Sequence, residues 1–354
     1  MTQQHTVFDS ELLGACIACG YCLPTCPTYR LTGDEASSPR GRIILMRGIQ
    51  DGAIELDDPI ALEQSEQCLA CRACEPVCPA GVKYGRLIEQ WRDAAWKRRP
   101  IRLRATAAAV RRSWPVRLGA VVVPHARAHE GADETSLMLG CFERLLFPKV
   151  SRAAQRLYPD ISVDPRQGCC GALHAHNGDL EIGEEMARQL GEQLPGTIVS
   201  TAGGCAAHLA SVIGRDRVME FSEYVAEHPP ALPLAPIERR GRVARIAIQD
   251  SCHLRNGLGV VDDIRAVVRM IGVLVDLETA GDCCGAAGSY SLLRPNDARR
   301  VLEQKREELS HTDVDIIAVV NPGCYRHLRA ELAGEPNPVE VAHLAELLAE
   351  ASVA

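Results

Sequence analysis

Two adjacent cysteines followed by glycine occur twice in this chain, as Cys169-Cys170-Gly171 and Cys283-Cys284-Gly285. Each doublet has one lone cysteine before it and one after it. The two sets are Cys141, Cys169, Cys170, Cys205 and Cys252, Cys283, Cys284, Cys324, and matching members stand 111, 114, 114 and 119 residues apart. A shift this constant marks an internal repeat. Two copies are too few for a solenoid, so the pattern predicts a duplicated half-domain. It constrains the fold strongly, because one architecture must be built twice and must carry four sulfurs each time.

The remaining cysteines narrow the chemistry. The chain has 354 residues, 16 of them cysteine, with a net charge of -7 and 46% hydrophobic residues. That length allows two or three domains. The charge is not the strongly basic balance of a nucleic-acid binder, so no nucleic-acid partner is expected. The N-terminus MTQQHTVFDS lacks the pattern of a signal peptide, and no apolar run reaches the roughly 18–20 residues of a spanning helix. A cytoplasmic protein is therefore expected. In a reducing compartment clustered cysteines read as metal-binding or catalytic rather than as disulfides. Only 4% of residues are aromatic, so metal ligation is expected to supply part of the stability.

Cys16-x-x-Cys19-x-x-Cys22-x-x-x-Cys26-Pro27 and Cys68-x-x-Cys71-x-x-Cys74-x-x-x-Cys78-Pro79 share one spacing. It is the run of two-cluster bacterial ferredoxins. Three thiolates two residues apart sit on a tight loop around one face of a cubane, where inward N–H groups can bond its sulfurs. In folds with this run the fourth cysteine ligates the other cluster. The pattern thus predicts Cys16, Cys19, Cys22 and Cys78 on one [4Fe–4S] cluster and Cys68, Cys71, Cys74 and Cys26 on a second. Zinc knuckles are the alternative. Zinc favours separated C-x-x-C pairs, whereas each run here holds four cysteines.

Between the runs, Ser37-Ser38-Pro39-Arg40-Gly41-Arg42 reads as a helix start. Arg40 and Arg42 either neutralise cluster charge or are solvated at a helix end. Residues 86–117 hold ten Lys or Arg against Glu89 and Asp93, together with Trp91, Trp96 and Trp114, the chain's three tryptophans. Three readings compete for this stretch: a connector docking on an acidic partner, a peripheral contact with anionic lipid, and a solvated connector.

The fold class expected is α+β: a mainly helical two-[4Fe–4S] ferredoxin-like domain followed by a duplicated α/β domain with parallel strands. Short apolar or β-branched runs at 135–141, 197–200, 243–248 and 315–320 read as buried parallel strands, and 179–194 and 295–310 carry helical patterns. The lone cysteines then fall at carboxyl ends of strands, where open α/β sheets bind ligands. Cys205 and Cys324 open helices, which favours their thiolates. The divisions expected are residues 1–100 for the ferredoxin-like domain, 101–133 for a basic connector, 134–228 for the first repeat, 229–240 for a stiff proline-rich linker and 241–354 for the second repeat.

The doublets resemble the CCG cysteine-rich domain of the heterodisulfide reductase B subunit. Joined to the two cysteine runs, the arrangement resembles the glycolate oxidase iron–sulfur subunit family and is similar to the C subunit of anaerobic glycerol-3-phosphate dehydrogenase. The motifs nearest the glycolate oxidase type are Ser38-Pro39-Arg40-Gly41-Arg42, Gln167-Gly168-Cys169-Cys170-Gly171-Ala172-Leu173-His174, Cys252-His253-Leu254 and Cys283-Cys284-Gly285-Ala286-Ala287-Gly288. The resemblance implies an electron-transfer subunit. A FAD-containing subunit would oxidise a 2-hydroxy acid such as glycolate, and this chain would pass the electrons towards quinone. No Gly-x-Gly-x-x-Gly fingerprint follows a strand, so no flavin or nicotinamide site is expected here. A catalytic disulfide or quinone reductase subunit is the alternative. The chain departs from the heterodisulfide reductase pattern where a final C-x-x-C becomes Cys205-Ala-Ala-His208 and Cys324-Tyr-Arg-His327. Residues i and i+3 share a helix face, so His208 and His327 are candidate ligands. Each repeat is left with three readings: a further iron–sulfur centre, a zinc, or no metal. His174, His176 and His253, beside the cysteine motifs, either bond cluster sulfurs, carry protons towards a quinone, or are ordinary core and surface histidines.

Overall fold

The computed structural model of the chain describes residues 7–98, 101, 104–105, 135–335 and 338–353. The first region is a set of short helices strung between two cysteine loops: α1 (Ser10–Gly14), α2 (Pro27–Thr32), α3 (Pro39–Gln50), α4 (Pro59–Gln67) and α5 (Tyr84–Ala94). Three of them begin at proline, whose missing N–H costs nothing in a first turn. Ser38 caps α3 by accepting the Gly41 N–H at 3.0 Å, and Asp58 caps α4 through the N–H groups of Ile60 and Ala61. That gives the helix start read at Ser38-Pro39. Phe8, Met46, Leu87, Ile88 and Trp91 form the core of this region.

The second region is built twice. The first copy runs β1 (Thr135–Met138), α6 (Cys141–Leu146), α7 (Pro148–Leu157), α8 (Ala172–Asn177), α9 (Leu180–Gln193), β2 (Thr197–Ser200), α10 (Gly203–Ile213), β3 (Val218–Glu220) and α11 (Phe221–Glu227). After a short antiparallel ribbon, β4 (Glu238–Arg239) and β5 (Arg242–Val243), the second copy runs β6 (Arg245–Ile248), α12 (Asp262–Ile271), β7 (Val273–Val275), α13 (Tyr290–Leu293), α14 (Pro295–His311), β8 (Ile316–Val319), α15 (Pro322–Leu332), β9 (Glu340–His343) and α16 (Leu344–Ala351). All strands within each copy's sheet are parallel, in the orders β1-β2-β3 and β7-β6-β8-β9. The place of β7 is held in the first copy by a single parallel bridge, Ser136 to Ser162. Both sheets therefore have four positions, one of them vestigial. The four apolar runs read as strands form β1, β2, β6 and β8, and the two helical patterns form α9 and α14.

The copies are not independent beads. One apolar core holds Leu137, Val150 and Phe221 of the first together with Ile246, Ile317 and Leu348 of the second. At the carboxyl ends of β2 and β8 the chains touch directly: Gly203 N–H donates to the Val320 carbonyl at 2.9 Å and Gly204 N–H to Asn321 Oδ1 at 3.1 Å. This seam sets the two cysteine-bearing faces side by side. The proline-rich segment, expected as a stiff linker, is fastened to the second copy at its carboxyl half. Ala235 N–H donates to the Ala351 carbonyl and Ile237 N–H to the Ile271 carbonyl, both at 2.8 Å. Prolines lack donors, but the residues between them keep theirs.

Of the basic stretch, residues 99–117 lie almost wholly outside the described residues. Within the part that is described, two large side chains turn inward. Trp91 is 0% exposed and packs edge-on to Phe8. Arg92 is buried, donating to the carbonyls of Ser65, Cys68 and His176. Among the described residues no helix is long and apolar enough to cross a membrane.

Candidate functional site

The two cysteine runs fold into interlocked loops. Residues with left-handed backbone, Ala18, Gly20, Ala70 and Arg72, stand between the cysteines of each run. Non-glycine residues adopt that conformation at a cost, and here it wraps each loop tightly enough to aim its sulfurs inward. The first cavity is lined by Cys16, Cys19, Cys22 and Cys78, with Ile43, Val82 and Tyr84 behind them. The second is lined by Cys26, Cys68, Cys71 and Cys74, with Arg42 and Tyr84. Each run thus sends its fourth cysteine across to the other's cavity. Cys74 also borders the first, so the cavities share a wall.

Their surroundings differ. Cys26, Cys68, Cys71 and Cys74 are all buried, whereas Cys19 is exposed and flanked by exposed Ile17 and Tyr21. Arg42 is fully buried beside Cys26 and Cys68. Its Nε and one terminal nitrogen donate to the carbonyls of Gln64 and Ser37, both at 2.7 Å, and its other terminal nitrogen has no partner. A buried cation left partly unpaired is costly, so Arg42 is the arginine placed to offset negative charge in the second cavity. Arg40 spans Glu35 and the Ala18 carbonyl of the first loop. Burial pushes the Cys74 thiol well above its usual range, followed by repulsion from Cys71 and Cys68. Buried sulfurs crowded this closely ionise together only when a metal supplies positive charge. Four cysteines, an apolar wall and a buried arginine fit an anionic iron–sulfur cluster.

The doublet cysteines gather in a second way. In the first repeat the sulfurs adjoin in the order Cys141, Cys169, Cys170, Cys205, with Cys141 and Cys169 at 3.2 Å. In the second the order is Cys252, Cys283, Cys284, Cys324, with Cys284 and Cys324 at 3.0 Å. The sequence repeat is therefore also a repeat of contacts. Cys141 opens α6, and Cys205 and Cys324 lie in the first turns of α10 and α15. Hydrogen bonding with neighbouring sulfurs pulls Cys169 and Cys284 well below the ordinary thiol range, and their neighbours Cys141, Cys170, Cys283 and Cys324 are held well above it. Among the described residues no three His, Cys, Asp or Glu side chains close on a point as a single ion requires.

One contact joins the two systems. Cys71 of the second ferredoxin-like cavity packs with Cys283 in one buried cluster. Leu69, Tyr290 and Ala298 pack around the pair, and Asn256 donates to the Cys71 carbonyl at 2.9 Å. Sequence reasoning missed this contact, because nothing in either motif names a partner from the other.

The histidines divide. His208 donates from Nε2 to the Gly183 carbonyl, 3.2 Å away, so only Nδ1 is left for any metal. His327 is buried near Cys284 with Nε2 unpartnered. His253 lies 3.7 Å from the Cys252 sulfur and stacks on His176, with ring centroids 4.7 Å apart; burial pushes its pKa down to about 3. His176 is anchored on Glu89 at 2.9 Å. His174 bonds Asp179 at 2.8 Å through Nδ1.

Comparisons with known proteins agree with this layout. Residues 12–82 match the model of a 4Fe-4S dicluster domain, and residues 136–210 and 246–329 each match that of a cysteine-rich domain. The probable glycolate oxidase iron–sulfur subunit of Bacillus subtilis is 31% identical, over 97% of this chain and 95% of its own length. The glycolate oxidase iron–sulfur subunit of Escherichia coli is 30% identical over 93% of each. The D subunit of dihydromethanophenazine:CoB–CoM heterodisulfide reductase from Methanosarcina barkeri is 24% identical over 99% of this chain and 96% of its own.

Proposed function

This chain belongs to the family of glycolate oxidase iron–sulfur subunits, and from that premise we propose that it carries electrons from a FAD-containing subunit, where glycolate or another 2-hydroxy acid is oxidised, towards the quinone pool. The observation that carries the reading is the pair of four-cysteine cavities joined to the doublets through Cys71 and Cys283. The [4Fe–4S] clusters supply one-electron transfer. Cys16, Cys19, Cys22 and Cys78 hold the first, and Cys26, Cys68, Cys71 and Cys74 the second. The two doublet tetrads hold further metal centres.

The chain's own residues define two ends. Exposed Cys19, Ile17 and Tyr21 open the first cavity outward, and residues 12–29 contain no charged side chain. The loop is therefore suited to close, water-excluding contact with a partner subunit. Buried Cys71 turns the second cavity inward. The basic stretch to residue 117 is proposed as the contact with a partner or with anionic lipid, which makes the chain peripheral on the cytoplasmic face of the membrane.

Anaerobic purification followed by dithionite reduction should show about eight irons per chain or more, and reducible [4Fe–4S] EPR signals. Absence of either result removes the proposal. The long match to a heterodisulfide reductase subunit favours a second reading, a catalytic disulfide reductase, which reduced viologen with a disulfide substrate would reveal directly.

A further inference from the structure

Besides the half-buried His176 and His253, each repeat has one fully buried imidazole with a free nitrogen, and the two come from different helices. In the second repeat it is His327, on the helix of the last cysteine. The equivalent residue of the first repeat, His208, spends Nε2 on the Gly183 carbonyl. The first repeat instead has His174, four residues beyond the doublet on α8. The matching position of the second repeat is Gly288, which has no side chain to offer.

His174 is 0% exposed. The Asp179 carboxylate accepts from its Nδ1 at 2.8 Å, which fixes that nitrogen as the donor. Nε2 is then left across the ring, fully buried and without a partner. A buried polar atom without a partner carries a desolvation cost that a ligand on Nε2 would offset. Carboxylate, imidazole and metal in that order is the recurrent arrangement of histidine ligands, in which the carboxylate fixes the tautomer and raises basicity. Cys169 lies within electrostatic reach of the same ring.

We propose that His174, oriented by Asp179, is the imidazole ligand of an iron–sulfur centre held by Cys141, Cys169, Cys170 and Cys205. This rests on the reading of the first tetrad as a metal centre. The test uses the full chain, prepared anaerobically with its iron and labelled with 15N-histidine, in a His253→Ala, His327→Ala background, which removes both imidazoles near the second tetrad. Pulsed EPR in the paramagnetic state should show one strong imidazole coupling. His174→Cys, which replaces one ligand by another, should keep the iron content, lose that coupling and lower the potential, since imidazole raises it relative to thiolate. His208→Ala should retain the coupling. Survival of the coupling in His174→Cys, its loss in His208→Ala, or its absence from a chain carrying more than about eight irons overturns the assignment of His174 alone. A count of about eight irons, accounting for the two ferredoxin-like clusters only, overturns the metal centre and the assignment together.

Discussion

Thr201, at the end of β2, is gripped from both repeats by groups that titrate in opposite directions. Its hydroxyl donates to Glu143 at 2.6 Å, and its carbonyl accepts from His343 Nε2 at 3.0 Å. Burial raises the Glu143 pKa to about 7, against hydrogen bonds from Thr201 and Ser151, with Glu346 raising it further and Arg144 lowering it. Burial lowers the His343 pKa to about 4. The folded protein keeps a proton on Glu143 that the unfolded chain releases, so that contribution is present at acid pH and lost as pH rises through about 7. His343 is neutral when folded and charged when unfolded, so its contribution is present above about 6.5 and lost as pH falls through about 4. Each is worth about 3 kcal/mol at its full extent, and in the wild type the two slopes oppose one another. Single variants unmask them. Relative to wild type, Glu143→Gln should gain stability from pH 5 to pH 8, and His343→Gln should gain it from pH 8 to pH 5. Denaturant unfolding at both pH values measures this, and differences that do not vary with pH would show that neither group is the titrating one.

The doublet is an element in its own right, a turn pinned beneath a helix. Gly171 has φ of 81° and Gly285 of 85°, a conformation costing other residues roughly 1–2 kcal/mol. A Cβ at either would also strike backbone, the Gly183 carbonyl in α9 or the Ala298 carbonyl in α14. Gly171→Ala and Gly285→Ala should therefore each destabilise the protein by more than about 2 kcal/mol. Iron beyond the ferredoxin-like clusters should fall, while their EPR signals persist. Gly14→Ala, which meets nothing within 4 Å, serves as the control, and equal behaviour of all three would refute the pinning. Features of this kind were legible because they are local. Cysteine spacing, the glycine after each doublet and β-branched runs before lone cysteines all report on a few neighbouring residues. Arg92 was illegible for the same reason. Its side chain reads as a surface charge until the carbonyls of Ser65, Cys68 and His176 arrive from two distant segments. His174 and His208 look interchangeable in sequence, and only Asp179 and the Gly183 carbonyl, one for each ring, separate them.

Across the whole molecule, the ferredoxin-like region is clasped by both repeats, and among the described residues the second packs a cysteine, Cys283, with one of its own, Cys71. Towards the first repeat the contacts are polar: Arg92 to the His176 carbonyl at 2.8 Å, Glu89 to His176 at 2.9 Å, Arg86 to Glu184 at 2.8 Å. Towards the second, Arg30 pairs with Asp282 and Arg294 with Glu63 at the rim, around the Cys71–Cys283 contact at the centre. The exposed ion pairs contribute little each, so position rather than affinity is what they fix. Two repeats alike in sulfur order are thereby unlike in wiring. The consequence is measurable in the ferredoxin-like region itself. Cys283→Ser replaces the sulfur of the cysteine packed with Cys71, while Cys169→Ser makes the same change in the other repeat. The EPR relaxation and potential of the cluster held by Cys26, Cys68, Cys71 and Cys74 should shift in the first variant and stay at wild-type values in the second. Equal shifts in both variants, or none in either, would mean that the two repeats stand in the same relation to the ferredoxin-like pair, and that the Cys71–Cys283 contact is packing alone.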